Sequence, residues 1–158
     1  MLAWIDNSWL AEFMRNYQWA FPISEAMHFI GLCLLIGSVA VMDLRILGFA
    51  PRLPMRVVHQ LVPWAWIGFS INLTTGILFF FAQSAFYIPN GAFRVKMVLL
   101  LLAGINALWF QFGVSRELES LPEGADAPGN AKTVAGISLA LWLGVICFGR
   151  FIMYWPPF

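Results

Sequence analysis

The sequence predicts an all-α integral membrane protein: a four-helix up-down bundle forming a single domain over residues 1–158, with an interfacial helix at its N-terminus. Three observations carry that expectation. The chain is 61% hydrophobic and only 11% charged, where soluble domains average about 25% charged. Four apolar runs are each close to or above the ~20 residues an α-helix needs to cross ~30 Å of hydrocarbon. The connections between them are short, which makes sequential helices antiparallel neighbours. The alternating ten-residue pattern of a membrane barrel is absent.

Residues 1–19 interleave Trp4, Trp9, Phe13, Tyr17 and Trp19 with Asp6, Glu12 and Arg15. That mixture suits a short helix lying among lipid headgroups with its rings anchored there. It lacks the basic start and small-residue cleavage site of a secretory signal, so the segment is expected to be retained. The first span runs over residues 21–44. Pro51 and Pro54 then stiffen a short link, because neither supplies a backbone N–H for a continuing helix. A second span covers 57–81 and ends at a turn marked by Pro89, Asn90 and Gly91. The third covers 93–114. Residues 115–130 are mostly acidic, Gly, Pro or Ala and read as the one flexible loop before the fourth span at 133–154. Gly31, Gly68, Gly104 and Gly144 are among the small residues that let helices approach closely, since packing drives association in lipid.

A net charge of +1 suggests no nucleic-acid partner. Arg45, Arg52, Arg56, Arg116 and Lys132 all fall on one side of the spans, and only Arg15 is clearly outside the membrane on the other. The positive-inside rule then predicts a multi-pass protein with both termini periplasmic. Cys33 and Cys147 lie within spans without CxxC spacing and read as small hydrophobes.

The functional lead is ionisable side chains inside hydrocarbon, where each costs roughly 2.5 kcal/mol or more and persists if paired, wet or used. Counting ~1.5 Å per residue from the span midpoints puts His28 about 7 Å outward of the bilayer centre, with Lys96, Arg150 and Glu25 each about 10–11 Å out. Glu25 and His28 are three apart on one helix face, so the carboxylate is expected to orient the imidazole. Cys147, Arg150 and Tyr154 share a stripe on the fourth helix. Met97 and Met153 lie within a few ångströms of the same depth, and thioether with imidazole suits copper(I) or haem iron. Lys96, Ala103 and Asn106 share one broad face of the third helix, a candidate ligand path. His59 lies roughly 22 Å from His28 along the normal, which disfavours one haem held by both.

The stretches FPISEAMHFIGLCLLIGSVAVMDLRILG, FRVKMVLLLLAGINALWF and CFGRFIMYW resemble a bacterial family of small four-helix inner-membrane proteins catalogued as a domain of unknown function. Lys96 through Asn106 is also similar, more distantly, to the CopD copper-resistance domain, which sits near the b-type dihaem cytochromes in fold. The resemblance implies a bundle in the bacterial inner membrane with copper or electron-transfer relatives, and Glu25, His28, Asp43, Arg45, Lys96, Asn106 and Arg150 as its motif positions. With two histidines in all, the chain departs from the two histidine pairs of the dihaem cytochromes.

These readings lead to a non-enzymatic protein with a polar pocket in its periplasmic half. The first expectation is copper binding or transport through His28, Met97 and Met153, with Glu25, Lys96, Arg150, Tyr154 and Asn106 around the ligand. The alternatives are an anchor or electron-transfer subunit for haem b or a quinone, and a structural scaffold. The expected partners are the lipid bilayer, a periplasmic redox or metal-carrier protein, and a second copy of the chain. No nucleophile elbow, zinc signature or phosphate loop supports hydrolysis.

Overall fold

The computed structural model describes residues 3–119 and 125–155. Among these the chain is helical, without strands: α1 (Ala3–Asp6), α2 (Trp9–Asn16), α3 (Ala20–Ile46), α4 (Met55–His59), α5 (Val62–Ala82), α6 (Ser84–Tyr87), α7 (Gly91–Trp109), α8 (Ser115–Glu119) and α9 (Gly129–Phe151), with a π-helical stretch over Phe110–Val114 between α7 and α8. Four stretches are long and apolar enough to cross a membrane: Ala20–Ile46, Val57–Ala82, Gly91–Leu118 and Gly129–Phe151. The protein is a multi-pass four-helix bundle.

The boundaries follow local chemistry. Pro63 sits in the first turn of α5; it donates no N–H and crowds the carbonyl four residues back, so the second apolar run divides into α4 and α5 at Gln60 and Leu61. Asn90 caps α7, its side chain accepting from the Phe93 N–H at 3.1 Å. The third helix continues to Glu119 through the π-helical stretch, further than a flexible loop from residue 115 would allow. Its continuation is held by apolar packing: Val114 and Leu118 are buried in a cluster with Ile46, Ala127, Ala131, Val134 and Ala135. Residues 120–124 of the expected loop lie outside the described residues.

The spans pair as two hairpins. α3 packs along α5 and α7 along α9, and the contact of α3 with α9 joins the pairs. At the first crossing the backbones nearly touch: a Cβ built on Gly68 would lie 2.5 Å from the Leu35 nitrogen and 2.7 Å from the Gly31 oxygen. α5 and α7 do not pack along their lengths; they meet near one end, where the Phe80 and Phe93 rings stack with centroids 6.0 Å apart. Away from that end α5 and α7 are held by α3 and α9 rather than by each other.

That end also carries α1, α2 and α6, and is called the cap end below; the opposite one is the loop end. α2 buries Ala11 and Met14 against the bundle, and its Trp9, Phe13 and Tyr17 form an exposed ladder of rings. The Ser84 hydroxyl donates to the Asp6 carboxylate, tying α1 to α6. An amphipathic segment with rings outward suits the interfacial layer.

Candidate functional site

His28, on α3, faces α5. Its Nδ1 lies 2.7 Å from Thr75 Oγ1, and its ring packs on Phe79 with centroids 5.3 Å apart. The Thr75 hydroxyl also sits 2.7 Å from the Ile71 carbonyl one turn back. A hydroxyl has one proton and the carbonyl can only accept, so that proton goes to Ile71 and Thr75 Oγ1 receives the Nδ1–H of His28. In the neutral imidazole this places the lone pair on Nε2. Thr75 is buried at 6% exposure, so leaving Nδ1 without this partner would be costly.

Lys96 approaches the same region from α7. Its stem lies along Gly149 of α9, where an added Cβ would stand in ordinary van der Waals contact, 3.6 Å from Nζ and 3.8 Å from Cε. The ammonium is within electrostatic reach of the His28 ring. Among the described residues it has no ion-pair partner. His28 on α3 and Lys96 on α7 both lie in the half of the bundle nearer the cap end.

The remaining sequence candidates are distributed around this pair. Glu25 is exposed, and its charge acts on the Tyr87 phenol, which burial first and Glu25 second push above the usual tyrosine range. The partner that orients the imidazole is the Thr75 hydroxyl. Arg150 is exposed and donates to the Tyr154 hydroxyl at 2.9 Å, with its guanidinium carbon 5.2 Å from that ring's centroid. Both belong to the cap-end surface. Met97 and Met153 are 48% and 68% exposed. Asn106 is buried and donates to the Val134 carbonyl of α9 at 3.2 Å, an interhelical tie nearer the loop end. His59 lies in α4 at the loop end, far from His28. Among the described residues no group of three or more His, Cys, Asp or Glu side chains gathers as a metal site.

Thr75 carries no signal in the sequence that distinguishes it from Thr74. Both hydroxyls bond back into their own helix, and only the rotation of α5 against α3 turns one toward an imidazole 47 residues away. A shallow groove of about 350 Å³ runs between Ile23, Met27 and Ser70 on the α3/α5 surface. Its Ser70 and Thr74 hydroxyls are occupied by carbonyls of their own helix, so it presents an apolar surface.

No curated protein and no solved structure matches the chain. A family model does, and it covers the interfacial segment, all four spans and every residue of the site. With residues 1–155 matched, the chain belongs to the family of unknown function DUF6644.

Proposed function

We propose that the protein binds the head group of a lipid-borne quinol or quinone between His28 and Lys96, as a membrane subunit serving electron transfer on the periplasmic side of the bacterial inner membrane. The observation that carries this reading is the His28–Thr75 hydrogen bond. It leaves Nε2 as an acceptor for a quinol hydroxyl, while the unpaired Lys96 ammonium donates to a quinone oxygen or stabilises a phenolate. Electrons would leave to a redox partner docked at the cap end.

A second reading has its own support. An imidazole whose Nδ1–H is held by a hydrogen bond is the usual form of a metal ligand, so Nε2 also suits copper(I) or, with Lys96 facing a propionate, the iron of a b-type haem. The Lys96 charge opposes a bare cation, and Met97 and Met153 are turned largely outward, which favours the quinol.

The test uses the protein in lipid nanodiscs, titrated with a short-chain quinol while its tryptophan fluorescence is followed. Lys96→Met is expected to weaken binding about tenfold or more, since a hydrogen bond from a charged donor contributes about 1.5–3 kcal/mol and 1.4 kcal/mol is a factor of ten. Thr75→Val releases the imidazole from its tautomer and is expected to weaken binding as well, with helicity unchanged. Saturable binding that is indifferent to all of Lys96→Met, Thr75→Val and His28→Ala defeats the proposal. Stoichiometric copper, or a Soret band, lost in His28→Ala transfers the site to the second reading.

A further inference from the structure

One exposed stripe of α9 changes character along its length. Leu143, Cys147, Arg150 and Tyr154 follow one another at spacings of four, three and four residues, which puts them on one helix face. Leu143 is 60% exposed and Tyr154 69%, and Cys147 and Arg150 are exposed between them. At ~1.5 Å per residue, Arg150 stands about 10 Å nearer the cap end than Leu143. From the middle of the bilayer outward, the face therefore reads apolar, apolar, cation, phenol.

Arg150 lies in the last turn of a span that ends at Phe151. The chain turns after it, with the Tyr154 N–H donating to the Phe151 carbonyl at 2.9 Å, and the phenol comes to rest against the guanidinium. Nη2 of Arg150 donates to the Tyr154 hydroxyl at 2.9 Å, and the guanidinium carbon lies 5.2 Å from the ring centroid. The phenol accepts in that bond, so its own proton is left to donate, and the guanidinium has further N–H groups beyond the one engaged. Ring and hydroxyl together restrain a side chain that is otherwise long and mobile.

What this pair lacks is an anion. Among the described residues Arg150 makes no ion pair, and neither does Glu25, the acid of α3 at this end. Asp6 is bonded to Ser84. α7 and α9 contain no Asp or Glu, while Arg94 and Lys96 add positive charge at the cap end of α7. The helix C-terminus offers Arg150 only about half a charge, and a cation at the edge of hydrocarbon is costly without a partner. The flanking Phe151 and Met153 are 46% and 68% exposed, so the surroundings of the guanidinium are apolar, as lipid requires.

We infer that this stripe is a binding site for an anionic phospholipid of the phosphatidylglycerol type, its phosphate held by Arg150 and the Tyr154 hydroxyl and its acyl chain lying along Cys147 and Leu143. The order of groups along the face matches the order of groups along the lipid. The planar fork of arginine meets two phosphate oxygens at once. A lipid with net negative charge is preferred to a zwitterionic one, because α7 and α9 present cations alone at this end. The site stands whichever ligand His28 and Lys96 hold.

Native mass spectrometry of the detergent-solubilised protein, titrated with phosphatidylglycerol and with phosphatidylcholine, tests this. One phosphatidylglycerol is expected to bind about tenfold more tightly than phosphatidylcholine. Arg150→Gln should weaken it about tenfold or more, the loss that goes with a charge-assisted hydrogen bond. Tyr154→Phe, which keeps the ring and removes the O–H, should weaken it less, and Arg52→Gln, an exposed arginine at the loop end, should leave it unchanged. Equal affinity for the two lipids, or binding indifferent to Arg150→Gln, overturns the inference. An equal loss in Arg52→Gln does so too, since only bulk charge is then being read. Displacement of the lipid by millimolar inorganic phosphate also overturns it, because the occupant is then a free anion and the apolar stripe contributes nothing. Should Arg150→Gln not fold, Arg150→Lys, which keeps the charge and loses the fork, and Tyr154→Phe still decide.

Discussion

Replacing Gly68 by Ala tests the link between the packing of α3 on α5 and the geometry of His28. The added Cβ would stand 2.5 Å from the Leu35 nitrogen, 2.7 Å from the Gly31 oxygen and 3.0 Å from the Leu35 Cα. All three are backbone atoms, so no rotamer change relieves them. Restoring ordinary contact at roughly 3.5 Å requires α3 and α5 to separate by about 1 Å at this level. Overpacking of a close interface typically costs about 1–3 kcal/mol, and small-residue crossings in membranes depend on that proximity. The site lies close by: Thr75 is two turns along α5 from Gly68, and His28 is three residues before Gly31 on α3. If the separation reaches them, a 2.7 Å hydrogen bond lengthens to about 3.7 Å, beyond useful range. Gly76→Ala is the control, because its Cβ would meet nothing within 4 Å and alanine favours the helix by about 1 kcal/mol. Thermal unfolding in detergent reads the stability, and nitrogen NMR of the imidazole reads the tautomer. Gly68→Ala should melt well below both the wild type and Gly76→Ala, with Nδ1 no longer fixed as the protonated nitrogen. Equal melting of the two alanine variants, or an unaltered imidazole spectrum in a destabilised Gly68→Ala, would refute the reasoning.

Three further outcomes are expected. Glu25→Gln should lower the pH at which Tyr87 ionises, seen as phenolate absorbance in alkali, but only in part, because burial is the larger cause of its elevation. Lys132→Ala should return the Asp126 carboxyl, now held below the usual range chiefly by the Lys132 hydrogen bond, to ordinary titration by NMR. The contribution of that pair is present above the unfolded carboxylate range and is lost as the pH falls, and since Asp126 is fully exposed the melting temperature should hardly change. Asn90→Ala removes both the cap of α7 and the 2.9 Å bond to the Ile152 carbonyl of α9, and should cost about 2–3 kcal/mol in unfolding experiments. Asn90→Asp, which keeps the acceptor and loses the donor, should fall between.

The readable part of the site was which residues stand out in the apolar runs. Ionisable residues in apolar runs stand out because hydrocarbon penalises them wherever they face, so His28, Lys96 and Asp43 are conspicuous in one dimension. Their partners are not. Glu25 sits on the helix face of His28, yet the imidazole is held by Thr75 from another span. Arg150 and Tyr154, four residues apart on one stripe, satisfy each other at the surface. Asn106 and Lys96 both reach α9 but at different levels, one at Val134 and the other at Gly149. The end of the third helix was also hidden, since a polar composition after Ser115 masks the buried contacts of Val114 and Leu118 with α9.

What the sequence determined alone is the helical class and the number and approximate bounds of the spans. Span length against bilayer thickness, and the solvation cost of charge, are local quantities that a linear string expresses fully. Which helices touch, and hence that α5 and α7 diverge while α3 meets α9, was decided by the tertiary structure. Helices of similar apolarity pack according to the shapes of their small-residue faces, as where Gly31 meets Gly68, and that match exists only between residues distant in the chain. The same rotation about the helix axes chose Thr75 for His28 and set Lys96 along Gly149.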